Sequence, residues 1–343
     1  MDSGTHKFSP TARFLIVRLG SLGDIVHAMH AVHALRATYP EARVDWLVER
    51  KWLPLIEANP DVTEAVVLER DRWNEVLRLF GQLRASKYDC AMDFQGLYKS
   101  AACTFFSGAP LRIGLAAHLA REGGASLFYT DKRAPQAAHV VDQNLGLAAR
   151  AGAATESPAF PALQITSASE QHVQRALAEQ RLDKFYVLNP GGGWRSKCWP
   201  AEQYGHLHRR LAEKHGLRGV VSFGPGEKSL AEAVRMVAGD PPPVLLPMDL
   251  PQLMAALRRS EFVVAADTGP LHFAAALGTP VVALFGPTDP ARNGPYTKQA
   301  VVVRNAKPGE TTYKRGEEYS SSMQSIRVEQ VVSAVEELRG SRA

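Results

Sequence analysis

Residues Ala265 to Pro290, AADTGPLHFAAALGTPVVALFGPTDP, constrain the fold more tightly than any other stretch of this chain. Phe262–Ala266 is an apolar, strand-like run that stops at Asp267. Thr268, Gly269 and Pro270 turn the chain, and Leu271–Leu277 has helical composition. Gly278 stands where a left-handed cap would end that helix, and Val281–Phe285 is a second buried strand. Free backbone N–H groups at such a helix start attract an anion through their unsatisfied donors and the helix dipole. Asp267 and His272 flank the same point, so a charged polar ligand is expected there. Asp267 or Thr268 acting as a simple N-cap is the plainer alternative.

At 343 residues the chain is long for a single core, and two domains are expected. With 45% apolar and 22% charged residues it reads as soluble and globular. The opening MDSGTHKFSP is polar, with no secretory signal expected, and no apolar run reaches the ~18 residues a membrane span needs. Three scattered cysteines, Cys90, Cys103 and Cys198, lack metal-ligand spacing and fit packing roles in a reducing cytoplasm. The net charge of +5 permits anionic partners but is too mild to point to nucleic acid. One local excess of cations runs from Lys99 to Arg133, where Lys99, Arg112, Arg121, Lys132 and Arg133 meet only Glu122 and Asp131. A solvated face or a site for an acidic substrate both fit it.

Both halves alternate short apolar strands with helices, the pattern of parallel βαβ units. In the first, strands fall at Phe14–Val17, Val44–Val48, Val66–Leu68 and Cys90–Phe94. Helices fall at Ile25–Thr38 and along the face marked by Trp73, Val76, Leu77, Phe80 and Leu83. The Ala/Ser/Pro-rich stretch after Gly152 reads as a linker. The second half gives strands at Phe185–Leu188, Gly219–Phe223, Phe262–Ala266, Val281–Phe285 and Ala300–Val303, and a last helix at Val328–Leu338. Two open parallel sheets present ligands at their strand ends.

The first strand runs into Leu19-Gly-Ser-Leu-Gly-Asp24, a G-x-x-G-D turn. It matches neither G-x-G-x-x-G nor a P-loop, so those dinucleotide and nucleotide motifs are absent. Asp24 stands where α/β domains place catalytic groups, and equally where a helix takes an N-cap or first-turn acid. His27, His30 and His33 drift around the following helix and read as surface or edge histidines, not a metal set. No Asp-x-Asp pair occurs, so a carboxylate clamp for Mg²⁺ is not expected. In the second half, Asn189-Pro-Gly-Gly-Gly-Trp-Arg-Ser-Lys197-Cys-Trp-Pro200 combines three glycines with Arg195 and Lys197, which suits a diphosphate. Phe223-Gly-Pro-Gly-Glu227 closes the next strand, and Glu227 could bond ribose hydroxyls or simply be a loop acid.

Together these pieces resemble the ADP-heptose–lipopolysaccharide heptosyltransferases of glycosyltransferase family 9. The likeness runs through IVRLGSLGDIVHAMHAV, DFQGLYKSA, KCWP, FGPGE and DTGPLHFAAALGTPVVALFGPTDP. GSLGDIVH and GPTDPARNGPY lie nearer the first heptosyltransferase than the second. The resemblance implies an α/β GT-B fold of two Rossmann-like domains facing across a cleft. Residues 1–165 would bind the acceptor and 166–325 the nucleotide-sugar, with 326–343 a helix packing back on the first domain. It implies a metal-independent, inverting transfer of heptose from ADP-heptose to the Kdo-lipid A inner core, with no cofactor. Asp24 would be the general base and Lys197 the catalytic cation. Ser21 and Gly23 would lie beside the phosphates; Thr268, Gly269, Pro270 and Leu271 would hold the diphosphate, Glu227 the ribose, and Asp267 and His272 the sugar-diphosphate end. Lys99, Arg112 and Arg121 are the candidate acceptor contacts. The enzyme would sit in the cytoplasm, peripheral on the inner face of the inner membrane.

Two departures stand out. His139-Val-Val-Asp-Gln143-Asn144-Leu145 lacks the arginines that relatives often carry after this histidine, and Tyr319–Ile326 carries serines where some relatives have cysteine. A nucleotide-sugar epimerase of similar fold, or an inactive sugar-nucleotide-binding protein, remain the rival readings.

Overall fold

The computed structural model describes residues 4–69 and 73–341. The chain divides into two compact units, Met1–Gln164 and Ile165–Ala343. In the first, β1 (Arg13–Val17), β2 (Arg43–Glu49), β3 (Glu64–Leu68), β4 (Cys90–Asp93), β5 (Leu111–Leu115) and β6 (Asp131–Arg133) form one parallel sheet in the order β3-β2-β1-β4-β5-β6. In the second, β7 (Tyr186–Asn189), β8 (Gly219–Phe223), β9 (Val244–Pro247), β10 (Val263–Ala266), β11 (Val281–Phe285) and β12 (Ala300–Arg304) are ordered β12-β11-β10-β7-β8-β9. Counted from its own first strand, each sheet has the doubly wound 3-2-1-4-5-6 order, which places a switch point beside that strand's carboxyl end. The α/β, GT-B expectation of two Rossmann-like units is met.

Strands such as β1, β10 and β11 are legible in the sequence because they are apolar and buried on both faces. β5, β6 and β9 escaped it for physical reasons. β5 carries Arg112 and Gly114, with the Tyr129 ring lying where a side chain on Gly114 would sit; β6 is the charged triplet Asp-Lys-Arg; β9 follows three prolines. The helix Trp73–Ala85 buries Leu79 and Leu83, whereas Leu77, expected inside, is 66% exposed. The side chain of Trp73 lies outside the described residues.

The last helix, Val328–Gly340, belongs to the core of the second unit. Val328, Val331, Val332, Val335 and Leu338 share a core with Tyr186, Trp199 and Tyr204 of the second unit. Each such side chain contributes roughly 1.5–3 kcal/mol on burial, and the Trp199 indole N–H donates to the Ile326 carbonyl at 3.0 Å. This apolar stripe seats the helix on its own unit. The linker is pinned as well: Gln164 N–H donates to the Ala58 carbonyl at 2.8 Å, and the Ala159 carbonyl meets His30 Nδ1 at 3.1 Å.

Candidate functional site

Each unit carries one cluster of the anticipated residues at the carboxyl ends of its strands. In the first unit, β1 ends in Arg18 and the loop Leu19–Ser21, after which the helix Leu22–Thr38 begins. Ser21 is its N-cap, and both the Ser21 N–H (3.3 Å) and hydroxyl (3.0 Å) donate to Asp24 Oδ2. Asp24 therefore caps the helix, as the plainer reading allowed. The same oxygen also meets Arg18 Nη2 at 2.7 Å, and the Asp24 side chain stays 28% exposed, open to a second partner. Burial pushes the Asp24 pKa up, but the Arg18 guanidinium, His27 and the Ser21 hydrogen bonds outweigh it and hold the carboxyl at about 2. Asp24 is an anion at any physiological pH.

Arg18 was invisible as a site residue because it ends an apolar strand, where a cation reads as a boundary. Its guanidinium is 9% exposed and also donates to the Phe94 carbonyl at the end of β4. Gln95 Oε1 accepts from Leu19 N–H at 2.8 Å, which ties the same two loops. Gly20 is required by close approach: a Cβ there would lie 2.7 Å from Trp52 Nε1. Ser21 spends its hydroxyl on Asp24, and Gly23 is buried within the first helical turn.

The histidines differ from expectation. His27 and His30 are buried, and His33 Nδ1 meets Asp61 at 2.8 Å. Burial drives the His30 pKa down to about 4. Among the described residues no group of three or more His, Cys, Asp or Glu could hold a metal ion. No described helix is long and apolar enough to cross a membrane.

The basic segment does not form one face. Lys99, in the first turn of the helix Tyr98–Phe106, meets Glu49 Oε1 at 3.3 Å at the end of β2. Arg121 is exposed, and its backbone borders Gly96 of the β4 loop. Arg112 lies instead near the start of β5, donating to the Phe128 (2.9 Å) and Ala109 (2.8 Å) carbonyls. It braces loops with donors an acceptor would need. Charge proximity along the chain did not become proximity in space, because a parallel strand runs between. Gln143 donates to the Ala137 carbonyl at 3.0 Å, a local structural use.

In the second unit four separated segments converge. Lys197, in the 3₁₀ turn Arg195–Lys197, places Nζ 2.7 Å from Asp267 Oδ2. Asp267 Oδ1 meets His272 Nε2 at 2.9 Å, and Thr288 Oγ1 donates to Oδ2 at 2.7 Å. Burial raises the Asp267 pKa, yet His272 and Lys197 overcome it and leave the carboxyl well below the usual range. Lys197 also sits 4.4 Å from the Trp194 ring centroid. Thr288 was missed as a site residue, although it stands within the GPTDP motif.

The Pro-Gly-Gly-Gly loop is held between these groups. A Cβ on Gly191 would fall 2.2 Å from Glu227 Oε1, and one on Gly192 would fall 2.6 Å from Thr268 Cγ2. Glu227 Oε2 in turn accepts from Gly224 N–H at 2.9 Å. Thr268 caps the helix Gly269–Ala276 through extended backbone, and its Oγ1 is buried with no hydrogen-bond partner. An orphaned hydroxyl of this kind costs free energy unless a ligand satisfies it. Pro270 has no N–H, and Leu271 N–H returns to the Thr268 carbonyl at 3.1 Å. The anion donors at this helix start are thus Gly269 N–H and the Thr268 hydroxyl. Leu271 is buried and His272 is committed to Asp267.

Known proteins match this architecture. Residues 76–322 match the profile of Glycosyltransferase family 9 (heptosyltransferase). Lipopolysaccharide heptosyltransferase 1 of Pseudomonas aeruginosa is 31% identical over 308 residues, covering 84% of this chain and 82% of that protein. Its counterpart in Escherichia coli (strain K12) is 30% identical, covering 85% and 93%. The structure of E. coli heptosyltransferase WaaC with ADP superposes with a TM-score of 0.74 at 28% identity, over 95% of this chain and 99% of that one. WaaC has also been solved with ADP-2-deoxy-2-fluoro heptose. With two doubly wound units and a profile match over most of its length, the chain belongs to glycosyltransferase family 9, the heptosyltransferases.

Proposed function

We propose that this heptosyltransferase acts in lipopolysaccharide core synthesis, moving heptose from ADP-heptose to the Kdo-lipid A inner core by a single inverting displacement without a metal. The observation that carries the donor assignment is the convergence of Lys197, Glu227 and the orphaned Thr268 hydroxyl on one glycine loop. With Gly269 N–H at the helix start, that arrangement offers a cation and two neutral donors to a diphosphate, and a carboxylate alongside for ribose hydroxyls. The family supports the sugar, and the heptosyltransferase 1 relatives support the acceptor.

In the proposed step the acceptor hydroxyl oxygen attacks the anomeric carbon. The carbon–oxygen bond to the diphosphate breaks, and ADP departs with the electron pair. The hydroxyl proton passes to Asp24. A carboxylate held at about 2 is a weak base toward an unreacted hydroxyl. It becomes an adequate one once the new bond makes that hydroxyl strongly acidic, so proton transfer follows bond formation. Charge growing on the leaving diphosphate is met by Lys197, Gly269 N–H and Thr268 Oγ1, in the manner of an oxyanion hole. Lys99 and Arg121 contribute to acceptor binding, and the protein works as a cytoplasmic, membrane-peripheral enzyme.

The test is transfer in vitro, with purified protein, ADP-heptose and Kdo-lipid A. Mass spectrometry follows the acceptor, and NMR reads the new anomeric configuration. Consumption of ADP-heptose without acceptor would favour an epimerase. Binding without turnover would favour the inactive reading, and a retained configuration would overturn the single displacement.

A further inference from the structure

Five of the eight large apolar side chains that stand exposed among the described residues lie on three neighbouring elements of the first unit. Leu77 (66% exposed) is on the helix Trp73–Ala85, and Tyr98, Phe105 and Phe106 (54, 46 and 43%) are on the helix Tyr98–Phe106. Leu127 (79%) is on the 3₁₀ turn Gly123–Phe128. Ring contacts join them into one surface. Phe80 stacks on Phe106 at 4.3 Å, Phe106 meets Phe105 at 5.4 Å, and Phe105 meets Phe128 at 5.8 Å. Leu77 is one helical turn from Phe80, and Tyr98 and Phe105, seven apart, share a helix face. The Tyr98 hydroxyl reaches the turn at Gly124.

We propose that this aromatic surface is where the enzyme seats on an anionic lipid bilayer, its apolar side chains entering the headgroup boundary and its cations meeting lipid phosphates. The choice of a lipid over a protein partner comes from charge. The first helix carries Arg78 and Arg84 against Glu75, while Lys99 of the second is paired with Glu49 and Glu122 accepts from the Tyr98 N–H, so the uncompensated charge beside the rings is that of the arginines. Arg78 is 77% exposed beside Glu75, and Arg84 is exposed over the end of the second helix at Gly108. Arg112, its donors held by the Phe128 and Ala109 carbonyls, keeps its charge 5.4 Å from the Phe105 ring and adds to the local positive field without a free donor. Aromatic and leucine side chains ringed by arginines are what an interfacial surface needs. A contiguous exposed apolar patch of this kind marks an interaction site. The use of the surface rests on the reading of a lipid-linked acceptor given above, since such a substrate never leaves the membrane. The patch itself does not depend on that reading.

Full-length protein is sedimented with vesicles of phosphatidylethanolamine containing 30% phosphatidylglycerol, and with neutral phosphatidylcholine vesicles as control. The parent is expected to bind the anionic vesicles, less at high salt, and to bind neutral ones at least tenfold more weakly. Leu77→Asp with Leu127→Asp, both at highly exposed positions, should lower partitioning at least tenfold with an unchanged melting temperature. Arg78→Glu with Arg84→Glu should act in the same direction through charge alone. With a deacylated, water-soluble acceptor both pairs should turn over at the parent rate. Parent that ignores both vesicles, or double variants that bind as the parent does, would overturn the proposal. So would a parent dimer that the aspartates dissociate, with no vesicle binding, which would make the surface a contact between copies. Vesicle binding without any heptose transfer would fault the assigned reaction and leave the surface standing; transfer without vesicle binding would do the reverse.

Discussion

Asp24→Asn separates the two roles that the structure gives this residue. The carboxylate is a helix-capping acceptor and the partner of Arg18, and it is also the proposed base. Its pKa falls from an ordinary 3.8 to about 2, which corresponds to about 2 kcal/mol of stability at neutral pH. The side chain is mostly shielded, so little of that is lost to solvent screening. The sign follows from the depressed value. The contribution is complete above the unfolded pKa of about 4, and it is lost as pH falls through the folded pKa of about 2. In the asparagine variant the amide oxygen can still accept from Ser21, but Arg18 loses its counter-charge. For a unit of 164 residues, an unfolding entropy of roughly 0.35 kcal/mol/K turns about 2 kcal/mol into a drop of ~6 °C in melting temperature. Activity should fall by ~10²–10⁴-fold in kcat if Asp24 takes the proton. Assays at 25 °C, with melting followed by calorimetry and ADP affinity by titration, keep the effects apart. Donor affinity should stay within about twofold of the parent, because the diphosphate groups are on the second unit. A variant that melts lower yet turns over near the parent rate would show that Asp24 is only a cap and an ion-pair partner, and the mechanism would fail.

Lys197→Ala should weaken ADP-heptose binding and lower kcat by ~10²–10³-fold, since its charge matters most as the diphosphate departs; parent activity should survive EDTA, and strict Mg²⁺ dependence would refute the metal-free route. Gly191→Ala forces the Glu227 carboxylate aside, because the new Cβ would lie 2.2 Å from Oε1. Donor Kd should rise at least tenfold with melting nearly unchanged, and unaltered affinity would remove Glu227 from the ribose. Lys99→Gln with Arg121→Gln should raise acceptor KM, mimicked by high salt, while Arg112→Gln should instead cost about 1–3 kcal/mol of stability through its lost carbonyl contacts. If Arg112→Gln raises KM at unchanged stability, its place as a brace is wrong.

Local chemistry was enough to draw β10, the helix Gly269–Ala276 and β11, because strand, N-cap, helix and left-handed Gly278 follow one another without spacer. The same holds for the G-x-x-G-D turn after β1. These are short-range features, set by apolar periodicity and backbone preference within a few residues. What joins Lys197 to Asp267, 70 positions apart, or Glu227 to Gly191, is the order in which parallel strands assemble, which no local window contains. In sequence the glycines suit a diphosphate, but only the fold reveals that Gly191 and Gly192 are demanded by the side chains that press on them. Likewise Arg18 and Arg112 look alike in sequence as cations near strand ends. Tertiary structure gives one a half-buried carboxylate and a carbonyl and the other two carbonyls, since a guanidinium drawn out of water must take whichever acceptors its neighbouring strands bring to it.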